Sequence, residues 1–85
     1  MKTYIYIYSV TCINEGKLEY SGVSHVFTDR DLANKFVSRE LHTQASLWKS
    51  VPTIFNKTKG TFTQIELKHP AGNRIHYYTL QAKEL

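Results

Sequence analysis

The sequence is poor in the residues that usually announce a chemistry. It has one cysteine, so no disulfide can form within the chain and no cysteine-based zinc site can be built. With two prolines and four glycines, no internal repeat or low-complexity segment stands out. No run approaches the ~20 apolar residues of a membrane helix. The four histidines, His25, His42, His69 and His76, show no metal-ligand spacing. Cys12 sits within a strand pattern and has no local activating group, so nucleophilic catalysis has no visible setting. Lys2 followed by Tyr4–Ile13 is too polar at Ser9 and Thr11 for a signal peptide and has no small-residue cleavage site. A cytoplasmic, non-enzymatic protein with no cofactor and no metal is expected.

What is present supports one domain, residues 1–85. Hydrophobic residues make up 41% and aromatics 13%, enough for a real core. A chain of this size buries only about 60–65% of its unfolded surface, so its margin is thin unless it oligomerises. Six tyrosines favour contact surfaces, since each joins a large apolar body to a polar tip. The net charge is +4. The excess is local: Lys49, Lys57, Lys59, Lys68 and Arg74 face only Glu66 within 49–74, and the rest of the chain balances. A local basic excess points to an anionic partner.

Tyr4–Ile13 is rich in aromatic and β-branched residues and reads as a strand. Period two puts Tyr4, Tyr6, Tyr8, Val10 and Cys12 on one face and Ile5, Ile7 and Ile13 on the other. Asn14-Glu15-Gly16 reads as a hairpin turn into a second strand over about 17–28, with Gly22 as a candidate bulge. Thr28 is the expected helix cap, with Asp31 at the capping-box position. Ala33, Phe36, Val37, Leu41, Ala45 and Trp48 repeat at helical spacing, which predicts a helix over 29–48 that ends before Pro52. Residues 50–60 read as a loop. Strands follow over about 61–68 and 74–82, joined by a His69–Asn73 turn. The expected fold is α+β: ββαββ, a four-stranded antiparallel sheet with the first strand central and one helix packed on one face.

One helix covers one face. The Ile5/Ile7 face is expected to meet Phe36, Val37 and Leu41, which leaves Tyr4, Tyr6 and Tyr8 as a dimer face or a platform on which bases stack. Lys49, Lys57, Lys59, Lys68 and Arg74 are the candidate contacts to phosphates or to an acidic protein surface. His25 with His76 would be needed for a metal-independent ribonuclease. Asp29 and Asp31 read as helix-terminal residues rather than catalytic carboxylates.

The layout Tyr4–Thr28, Thr28–Trp48, Thr61–Ala82 resembles the small phage-encoded inhibitors of bacterial defence systems, of the anti-CRISPR or toxin-ribonuclease-inhibitor type. The resemblance covers the order of elements and no residue motif, so no functional residue carries over. Many members of that group are acidic mimics of nucleic acid, whereas this chain is basic. The resemblance, with the basic charge, then implies an antitoxin-like module that binds RNA or an acidic protein surface and blocks a nucleic-acid-processing host protein. A homodimer is expected separately, from the small size and the tyrosine face. The alternative is an inhibitor or scaffold that acts on protein through the sheet face or edge.

Overall fold

A computed structural model describes residues 3–49 and 51–85. The elements are β1 (Tyr4–Asn14), β2 (Lys17–Phe27), α1 (Arg30–Trp48), β3 (Thr53–Lys59), β4 (Phe62–Lys68) and β5 (Arg74–Glu84). They form one antiparallel five-stranded sheet in the order β2-β1-β5-β4-β3, with α1 on one face.

The expected four-stranded ββαββ sheet is therefore corrected to a five-stranded ββαβββ one. The stretch read as a loop holds β3, which pairs with β4 from Thr53↔Lys68 to Lys59↔Phe62. Its polar, basic composition hid it, because an edge strand exposed along its whole length shows no apolar alternation. Gly60, at φ +58, turns the chain in two residues between Lys59 and Phe62, as a tight hairpin requires. The other tight hairpin behaves as expected: Glu15 and Gly16 are both at positive φ, the mirror-image turn that suits twisted strands. β1 lies inside the sheet, but the central strand is β5.

The helix cap shifts by one residue from the expected Thr28. Asp29 has the extended cap geometry and its carboxylate accepts from the Asp31 N–H at 2.8 Å and the Leu32 N–H at 3.5 Å. A carboxylate both satisfies free amides and opposes the helix dipole, so it outcompetes the hydroxyl before it. At the other end Lys49 closes the helix in the left-handed conformation, its N–H bonded to the Ser46 carbonyl.

The larger correction concerns the two faces of β1. The helix packs on the tyrosine face, not on the isoleucine face. Tyr8, Val37, Leu67 and Tyr78 form the buried cluster, with Val10, Phe27, Phe36, Leu41, Trp48, Ile65 and Leu80 around it. Phe36 meets the Tyr8 ring edge-on at 5.2 Å, and Phe27 at 5.3 Å. Register explains the choice. Tyr8 lies opposite Leu80 and Val10 opposite Tyr78, which in turn lie opposite Thr63 and Ile65 of β4. Ile7 lies opposite Gln81, and Ser9 opposite Thr79. The tyrosine face thus gathers large apolar side chains from β1, β5 and β4 into one patch, while on the isoleucine face Gln81, Thr79, Gln64 and Glu66 interrupt the apolar ones. Burying the first removes more apolar surface from water.

That choice leaves one orphan. The Tyr8 hydroxyl is buried with no hydrogen-bond partner. Burial first, then the nearby Glu40 charge, pushes the Tyr8 phenol well above its ordinary range, and burial does the same for Tyr78.

Candidate functional site

The face left uncovered carries an unusual load. Residues directly opposite one another in a sheet point to the same side. The pairings therefore assemble Val26, Ile7, Gln81, Phe62 and Lys59 in one row across the five strands. The next row holds Val23, Ser9, Thr79, Gln64 and Lys57. Then come Ser21, Thr11, Tyr77, Glu66 and Phe55, and finally Leu18, Ile13, Ile75, Lys68 and Thr53. Lys83, opposite Ile5, sits at the end of the face. Among the described residues no element lies over it.

This face divides lengthwise. The β2–β1–β5 part is aliphatic and crossed by hydroxyls. Leu18 and Val23 are 65% and 61% exposed there. The hydroxyls satisfy one another across the strands: Thr11 Oγ1 bonds Ser21 Oγ at 3.0 Å, and Ser9 Oγ bonds Thr79 Oγ1. The β3–β4 part is basic and aromatic. Phe55 is 62% exposed beside Lys57, and Phe62 lies opposite Lys59. Four lysines (Lys57, Lys59, Lys68, Lys83) share the whole face with one directly aligned carboxylate, Glu66.

The expected contact residues are split by this arrangement. Lys57, Lys59 and Lys68 lie on the uncovered face. Lys49 caps the helix, and Arg74 pairs with Asn14 in a row that points to the helix side. Tyr8 is 1% exposed under the helix, so it offers no stacking or dimer surface. Tyr4 and Tyr6 are half-buried on that same side. The aromatics that do join the lysines are Phe55, Phe62 and Tyr77. Once Thr53–Lys59 is read as a strand, period two alone puts Phe55, Lys57 and Lys59 on one face.

A second concavity lies on the helix side. Two adjoining cavities of about 240 and 230 Å³ separate α1 from the β3–β4 hairpin and share Asn34, Thr63 and Leu80. Tyr4, Tyr6 and Arg30 line the first. The walls mix apolar side chains (Val37, Ile65, Leu80, Ala82) with hydroxyls and amides, which suit several ligand chemistries and select none.

The histidines do not assemble an acid–base pair. His25 sits opposite Tyr8 with its ring 4.4 Å from Phe36, whereas His76 sits opposite Cys12, two strands and four residues of register away. His76 packs edge-on against Trp48, its Nδ1 3.1 Å from the Tyr78 hydroxyl. Burial lowers its pKa, Glu19 pulls the other way, and Arg74 adds to the lowering. His69 also packs edge-on against Trp48, at 5.2 Å. Cys12 is half-buried, and burial followed by the Glu19 charge raises its thiol, the opposite of activation. No group of metal-ligating side chains stands together among the described residues, and no described helix is long and apolar enough to cross a membrane. No family model matches this chain, and no curated protein and no solved structure matches it.

Proposed function

We propose that this protein is a non-enzymatic binding module for single-stranded nucleic acid, RNA above all, and that the β3–β4 part of its uncovered sheet face makes the contact. One observation carries the reading: Phe55 and Phe62 share an open face with Lys57, Lys59 and Lys68. Single strands expose the faces of their bases, and aromatic side chains on an open sheet give them a surface to stack on, worth ~1–3 kcal/mol per base. Interleaved lysines neutralise the phosphates without reading sequence. Duplex DNA fits less well, because the exposed helix side mixes Lys35 and Arg39 with Asp31 and offers no recognition surface. A module of this kind would act in the cytoplasm and would block a nucleic-acid-processing protein by occupying its substrate.

The test is titration of a fluorescent single-stranded RNA across a salt series. Affinity is expected to fall with salt, by ~0.7 in log–log slope for each phosphate neutralised. Lys57→Glu with Lys59→Glu should weaken binding at least tenfold and flatten the slope. Phe55→Ala should cost ~1–3 kcal/mol with the slope unchanged. No detectable binding at low salt would overturn the reading and hand the same lysines to an acidic protein partner.

A further inference from the structure

We propose that the β2–β1–β5 part of the uncovered face is where two copies of this chain meet, about a two-fold axis lying along β1. This rests on observations separate from the nucleic-acid reading.

The first is need. Among the described residues the side chains counted as buried and apolar are Tyr8, Ala33, Val37, Leu67 and Tyr78. A single-layer sheet with one helix and so small an interior gains most from covering its second face. The second is charge. Among the described residues with an aligned partner, register places only Lys83, at a corner, as a charged side chain on this part. Two copies therefore meet here without repulsion, and a strongly charged partner finds nothing to pair with. The third is polar satisfaction. The hydroxyls of Ser9, Thr11, Ser21 and Thr79 already bond one another within the sheet, so covering them strands none, and only the Gln81 amide and the Tyr77 hydroxyl need partners across the interface.

The position of the axis follows from the same map. An axis along β1 lays β2 of one copy over β5 of the other. Ile7 then faces its own counterpart, as does Ile13, and Leu18 faces the partner's Ile75. The β3–β4 parts overhang at opposite sides and keep Phe55, Lys57 and Lys59 in water. An axis along the central strand β5 would instead press Lys57 and Lys59 onto Val23 and Val26 of the partner, which desolvates the lysines without pairing them. Three strands ~4.8 Å apart and ~36 Å long give a flat footprint of ~500 Å² per copy. Side-chain relief raises that toward the ~800 Å² per partner of standard interfaces. The geometry is that of a face-to-face β-sandwich closed by two chains.

Sedimentation equilibrium of the full chain tests this directly. The expected mass is twice 9.9 kDa, with a melting temperature that rises with protein concentration. Val23→Glu with Val26→Glu, at exposed positions on the edge strand, should weaken self-association by about a hundredfold or more and remove that concentration dependence. Lys57→Glu with Lys59→Glu should leave the dimer intact even where it abolishes RNA binding. A wild-type chain that stays at 9.9 kDa with a concentration-independent melting temperature would overturn the proposal. So would a Val23→Glu, Val26→Glu variant that still sediments as the dimer. If that variant fails to fold, the concentration dependence of the wild-type melting temperature decides alone.

Discussion

Ile7 and Tyr8 are neighbours in the chain and have opposite surroundings. Tyr8 is 1% exposed, stacked near Tyr78 with Phe36 across its edge. Ile7 belongs to a face that no described element covers. Taken by itself β1 gives no reason for this, because both of its faces are apolar. The difference lies in the strands beside it. On the tyrosine side the rows continue through Leu80, Tyr78, Ile65 and Leu67. On the isoleucine side they run into Gln81, Thr79, Gln64 and Glu66. The helix settles on the side where the large apolar side chains of β1, β5 and β4 lie together, and the more mixed face is left uncovered.

Three substitutions probe that contrast. The largest expected effect is at Leu67, which is 0% exposed. Leu67→Ala should cost ~2–5 kcal/mol in urea unfolding, through lost burial and a residual cavity. The matching change on the other face, Leu18→Ala, should stay within ~0.5 kcal/mol at concentrations where the chain is monomeric. Equal costs would dissolve the distinction between the faces. A smaller effect of the opposite sign is expected at the orphaned hydroxyl. Tyr8→Phe removes a buried group that bonds nothing, and should be neutral or stabilising by ~1 kcal/mol. A clear loss of stability would mean that the hydroxyl has a partner.

The smallest effect is a pH dependence. Burial against Trp48 lowers the pKa of His76 in the folded chain below its ordinary value of 6.5. Below that value the unfolded chain takes up a proton that the folded chain resists, so acid favours unfolding. The contribution is present in full above 6.5 and is lost as pH falls through and below it. The melting temperature should therefore drop between neutral and mildly acidic pH, and His76→Gln should flatten part of that drop. An identical profile in the variant would remove His76 as the cause.

Much of the fold is legible in the residues. Tyr4–Asn14, the Glu15-Gly16 turn, the helix and the last two strands all follow from period, turn chemistry and the stop at Pro52. β3 is not, because strand pairing there is carried by backbone hydrogen bonds to β4 while Asn56, Lys57, Thr58 and Lys59 look like loop. The cap lies one residue later because Thr28 and Asp29 are both able caps by residue type, and the Asp29 carboxylate, with its charge at the helix start, is the one that takes the free amides. The site was legible in its charges and illegible in its aromatics. Lys57, Lys59 and Lys68 stand out as an excess in the sequence, but the faces of β1 cannot be told apart until β5 and β4 are in register. With β3 read as loop, Phe55 had no face to share with them.

Mass-mapped tyrosine nitration of the folded protein tests the assignment of the two faces most directly. Tyr20 is 51% exposed, and Tyr8 and Tyr78 are 1% and 4% exposed. The expected result is nitration at Tyr20 with Tyr8 and Tyr78 protected until the chain unfolds. Nitration of Tyr8 in the folded protein as fast as Tyr20 would put the tyrosine face outside the core and contradict the account.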